Sequence, residues 1–247
     1  MREGIRSFID GWLVAVAVGA VGVVGLCGAK TVSQTDLGSL QSSQLGPVDE
    51  AQAALSSARQ AKAQAQQRLQ QAQSSLKVAQ PGQQSAQASI DEAEARLAQA
   101  KQAGDPAAIA QAKQTLKVAN DYKVEERDRV AYLQREIDAA DAELSATEKR
   151  IDLAKAKLEQ SRLEALREAK SPAANKYQGW EFDKAVADRG RDYASAKSEA
   201  DKAQAKAQRS FDAWQLSKNQ VASEKGLEPA RGGPGARPMP QGSPVEP

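Results

Sequence analysis

The sequence predicts an all-α protein: long antiparallel helices packed as a coiled coil or three-helix bundle, behind an N-terminal membrane helix and ahead of a disordered tail. Three observations predict it. Apolar residues make up 40% of the chain, yet Ala supplies much of that share and aromatics only 4%. Apolar residues recur at alternating three- and four-residue spacing over many heptads, which is the coiled-coil signature. Proline marks three separate helix starts.

Composition limits the alternatives. Burying a Leu side chain contributes about 1.5–3 kcal/mol, and Ala contributes far less, so a compact globular interior lacks bulk here. Close helix contact along a narrow seam does not need that bulk. Ala, Gln, Lys, Glu and Arg are strong helix formers, and a chain rich in them with a helical period reads as long helix.

Residues 1–30 read as a signal anchor or signal peptide. Gly11 to Ala29 carry no charge over 19 residues, about 28 Å as a helix at about 1.5 Å per residue, close to the bilayer core of about 30 Å. Trp12, Leu13, Val14, Val16, Val18, Val21, Val23, Val24 and Leu26 supply its apolar surface. A retained anchor, a cleaved signal and a lipidated Cys27 all fit this stretch, although Leu26 departs from the small residue that normally precedes a lipidated cysteine. Arg2 and Arg6 before the run and Lys30 after it favour the N-terminus inside and an extracytoplasmic main chain. Residues 31–46 are rich in Ser, Gln and Gly without apolar period, the composition of a flexible tether.

The bundle is expected over residues 47–225. Its helices are predicted at 48–103, 106–170 and 172–224, each led by Pro47, Pro106 or Pro172. Asp105 and Ser171 are good N-caps, and Gly104 suits a helix stop before a tight turn. The first seam runs through Val48, Ala51, Leu55, Ala58, Lys62, Ala65, Leu69 and Ala72 onward to Ala100; the second from Ile109 to Leu158. A second apolar row at Val118, Tyr132, Ala139, Ala146 and Leu153 implies that the middle helix touches two partners.

Pro81-Gly82 interrupts the first helix. A chain reversal is one reading of that dipeptide. Because the three-four phase passes through it unbroken, a kink in one rod is the reading adopted. A turn at Gly104–Pro106 places Lys62 opposite Thr147 and Glu148, and Gln83 opposite Glu126, so the polar seam residues gather across the interface and set register. The aromatics concentrated in the third helix read chiefly as filler where Ala leaves gaps.

Residues 226–247 are dense in Pro and Gly without apolar period, as expected for a disordered, locally extended tail.

No catalytic arrangement is visible. There is no His, and the lone Cys27 rules out an intrachain disulfide. Lys and Arg number 34 against 32 acidic residues and are interspersed with them, so nucleic acid is not an expected partner. Neither a cofactor, a metal nor a small-molecule substrate is expected.

The layout of N-terminal signal, polar tether, Ala/Leu coiled coil and Pro/Gly tail resembles that of bacterial cell-envelope coiled-coil proteins, including periplasmic adaptor hairpins and envelope lipoproteins. The resemblance rests on layout, so no functional residues carry over. It implies a non-enzymatic, membrane-tethered scaffold or adaptor with protein partners in the envelope, and homo-oligomerisation is a further expectation. A chaperone-like holdase and a coiled-coil regulator of an envelope enzyme are the alternatives.

Overall fold

The computed structural model describes residues 31–38 and 40–226. Their architecture is all-helical, 92% helix, with three long helices packed against each other. A short helix α1 (Gln34–Leu37) and a 3-10 turn (Ser42–Gln44) lead into α2 (Gly46–Ala103), then α3 (Pro106–Glu168), a second 3-10 turn (Pro172–Lys176) and α4 (Gly179–Glu224). With 63 residues, α3 is about 95 Å long at about 1.5 Å per residue.

α2 and α3 form a hairpin. Gly104 closes α2 with φ 69°, a left-handed geometry in which a side chain would be strained. One residue later the Asp105 carboxylate accepts from the Ala107 N–H at 2.9 Å, and Pro106 takes the first helical position of α3. Antiparallel pairing follows from that turn. Lys62 meets Glu148 at 2.8 Å, Arg68 meets Glu143 at 2.7 Å, and Lys123 donates to Gln87 at 2.8 Å.

The seam is narrow and alanine-lined. Ala58, Ala65, Ala79, Ala86 and Ala93 on α2 are at most 2% exposed. Leu55 and Ala58 pack with Ala154 and Leu158 near the base, while Ile90 and Ala93 pack with Leu116 and Ala119 near the tip.

α2 runs through Pro81 and Gly82 as one continuous helix, so the chain does not reverse there.

α4 lies on the other flank of α3 and runs antiparallel to it. Gln160 donates to Asp183 near the base, and Lys117 pairs with Glu224 towards the tip. Between them Tyr132 stacks on Trp214 at 5.6 Å and meets Phe211 edge-on at 5.2 Å. α3 packs along both neighbours, whereas α2 and α4 share no seam. The molecule is therefore an open arrangement built on α3 and not a closed three-helix bundle.

Three segments depart from the sequence expectations. The expected tether, residues 31–46, has no apolar period, yet its described residues 31–38 and 40–45 form a strap across the base. Val32, 2% exposed, packs with Leu163, Leu166 and Phe182. Its N–H donates to Glu159 at 2.8 Å, and Asp36 accepts from Lys176 and the Tyr177 hydroxyl at 2.8 and 2.7 Å. Leu37 and Leu40 pack against the same cluster, and these few contacts hold the segment without helical periodicity.

α3 ends at Glu168, two residues short of the expected boundary, where Lys170 turns to φ 52° and the Ser171 N–H donates back to Leu166 O. The third long helix begins at Gly179 instead of Pro172. Ser171 and Pro172 open a 3-10 turn, Tyr177 is extended (φ −118°, ψ 134°), and its ring packs edge-on against Phe182.

The expectation of a membrane-anchored, periplasmic chain is corrected. Among the described residues no helix is long and apolar enough to cross a membrane. The segment behind the expectation (Trp12, Leu13, Val14, Val16, Val18, Val21, Val23, Val24, Leu26 and Cys27) lies outside them, as does the tail from residue 227 onward.

Candidate functional site

The open side of α3 creates a long concave feature lined by all three long helices. On α3, Leu133 packs with Leu76 and Ala79 of α2, and the adjacent Tyr132 meets Phe211 and Trp214 of α4. These two residues are consecutive, and consecutive helical residues point about 100° apart. Helices in a closed triangle would be seen by α3 at about 60°, those in a square at about 90°. α3 thus sits at one corner of a square whose diagonal corner is empty.

That corner is a groove of about 1080 Å³. Its floor is α3 from Ala139 to Ser161; Pro47, Ala51, Ala54 and Arg68 form the α2 wall, and Tyr193, Lys197, Ala200 and Gln204 the α4 wall. Small side chains keep it open. Ala139, Ala146 and Ala154 are buried at 6–8% exposure, and Ala200 is half-buried. Ala139, Ala146 and Leu153 of the second apolar row expected on the middle helix lie in this floor; Tyr132 of the same row packs against α4.

Charge is set along the middle of the floor. Glu143, Arg150 and Lys157 recur every seven residues, each three or four positions from a floor residue on either side. Two of the groove's charged pairs are internally matched, Arg68 with Glu143 and Lys197 with Asp201 at 3.2 Å. Arg150 and Lys157 make no ion pair with any described residue. Glu50 at the basal mouth likewise has none.

A second polar feature lies above the groove, on the α2–α3 seam. Glu126 is 4% exposed; one carboxylate oxygen receives Arg129 at 3.5 Å and the other has no hydrogen-bond partner. It occupies the space beside Gly82 that a Cβ would fill. Gln83, expected opposite Glu126, is exposed one position further along. Burial raises the Glu125 carboxyl above its usual range, with the Glu126 charge adding to it. Burial, then Glu126 and Glu125, raises Tyr122 in the same direction.

The sequence-predicted turn residues Gly104, Asp105, Pro106, Ser171 and Pro172 fall at opposite ends of the rod, while Pro81 and Gly82 lie in mid-helix. The structure does not bring these three groups together. Sequence reasoning missed the groove, because periodicity shows that α3 has two seams but not that its two partners stay apart. The consecutive residues Tyr132 and Leu133, each on a different partner, are the signal that could have found it. Among the described residues, no group of three or more His, Cys, Asp and Glu side chains is placed to hold a metal ion. Comparison with protein-family models, with curated proteins and with solved structures finds no match for this chain.

Proposed function

We propose that this chain is a non-enzymatic coiled-coil scaffold or adaptor that presents its hairpin tip to a protein partner. The observation supporting this reading is the unequal length of the helices. α4 stops at Glu224 beside Lys117, whereas α2 and α3 continue to Ala103 and Pro106. The last three turns of the hairpin, about 17 Å at about 1.5 Å per residue, therefore stand clear of α4. A two-helix tip on a three-helix shaft positions a contact surface away from the supporting body, and its exposed turn residues (Gln102, Ala103, Gly104 and Asp105) are free to touch a partner.

The test is photo-crosslinking from position 102 in the full chain, compared with a variant lacking residues 94–100 and 110–116. That deletion removes one heptad from each side of the hairpin and preserves its phase. The expected result is one defined, stoichiometric adduct that the shortened hairpin loses while keeping its helicity. A spread of unrelated adducts, or none, overturns the scaffold reading.

A further inference from the structure

We propose that the groove between α2 and α4 is the docking site for one amphipathic partner helix of about six turns, carrying small residues on its inner face and two carboxylates seven residues apart. This deepens the scaffold reading and rests on it, since a scaffold requires partner surfaces.

Three features define the occupant. The first is shape: three helices fill three corners of a square, and a fourth rod completes a four-helix packing around the same axis. The second is length. The floor from Ala139 to Ser161 spans about 33 Å at about 1.5 Å per residue, which a helix of about 22 residues covers. The third is charge. Arg150 and Lys157 point into the vacant corner without an ion-pair partner among the described residues, seven residues apart on one face.

A wholly apolar helix would strip water from both cations and leave them unpaired, which is strongly unfavourable. Carboxylates at matching heptad positions neutralise them instead. The alanine floor and walls admit only a small-residue face at close approach. Helix-in-groove recognition of this kind reads anchors at heptad spacing.

The probes are two fluorescein-labelled synthetic peptides of 22 residues, Ala- and Gln-rich, with Glu or with Lys at two positions seven apart on the Ala face. Anisotropy with the full chain should show the Glu peptide binding at least tenfold more tightly than the Lys peptide. Arg150→Glu combined with Lys157→Glu should invert that preference. Ala54→Trp, at an exposed wall position, should block both peptides while leaving helicity and melting unchanged.

Failure of the Glu peptide to bind, an unaltered preference in the charge-reversed variant, or unimpaired binding to Ala54→Trp would each overturn the proposal. The tip crosslink does not involve the groove. Peptide failure alongside a defined adduct at position 102 therefore overturns the docking site alone, and failure of both removes the scaffold reading as well.

Discussion

Gly82 and Glu126 share one space: the carboxylate on α3 lies where a side chain on α2 would begin, with Glu126 Cδ only 2.9 Å from the position a Gly82 Cβ would take. Glycine in mid-helix costs about 0.5–1 kcal/mol relative to Ala, so Gly82→Ala should ordinarily stabilise α2. Here it must push a buried carboxylate aside, and we expect it to be neutral or destabilising. In a Glu126→Ala background the same change should stabilise by about 0.5–1 kcal/mol. Urea unfolding of the four-member cycle checks this; additive effects would show that the two residues do not compete.

Glu125 carries the pH dependence of the same layer. Its raised carboxyl binds protons more readily folded than unfolded, so its unfavourable contribution is absent in acid and grows as pH rises from about 4.5 through the folded value. Glu125→Gln should raise the melting temperature at pH 7 and lose that advantage near pH 4. A constant increment across this range would contradict the assignment.

The strap responds in the opposite direction. Lys176 and then the Tyr177 hydroxyl, both hydrogen-bonded to Asp36, hold its carboxyl below its ordinary value of 3.8. A lowered pKa means that the contact is fully present above 3.8 and is lost as pH falls through the folded value. Amide exchange of residues 32–37 should accelerate at that point. Asp36→Asn should raise their exchange at neutral pH and abolish the acid step.

Lys170 sits at φ 52° behind the last turn of α3, a region that glycine enters without penalty. Lys170→Gly should stabilise by about 0.5–1 kcal/mol, read as a higher urea midpoint with unchanged slope.

Core deletions should separate the base from the outer faces. Leu166, 0% exposed in the Val32 cluster, should cost about 2–5 kcal/mol as Leu166→Ala. Leu216, 72% exposed on α4, should shift stability by less than about 0.5 kcal/mol as Leu216→Ala. Thermal melts of the two variants measured side by side provide the comparison.

The register of the hairpin was legible because a short turn and a heptad repeat leave few pairings. Placing Lys62 opposite Glu148 needed only the position of Gly104–Pro106. The aromatic cluster followed from bulk, since Phe211 and Trp214 meet Tyr132 where alanine would leave a gap. Tyr193 in the groove wall and Trp180, 62% exposed, fill no such gap. The strap was illegible because Val32, Asp36, Leu37 and Leu40 follow no helical or strand period, and the partners Leu166 and Tyr177 lie more than a hundred residues away. The 3-10 turn after Pro172 was missed for a related reason. A proline start signal is the same for a short turn and a long helix, and here the 3-10 turn gives way to extended Tyr177 before α4 begins at Gly179.

Parity has a consequence for the whole rod. Two long segments would bring the polypeptide back to its origin, but three carry it across. Val32 is fixed at the base, while Lys225 rests its ammonium 5.2 Å from the Tyr122 ring on the tip side. Val32 and Lys225 are thus held apart by the span of α4, about 70 Å for 46 residues at about 1.5 Å each. Tension applied between those two points would shear α4 along α3 instead of peeling it away, so many side-chain contacts would resist together.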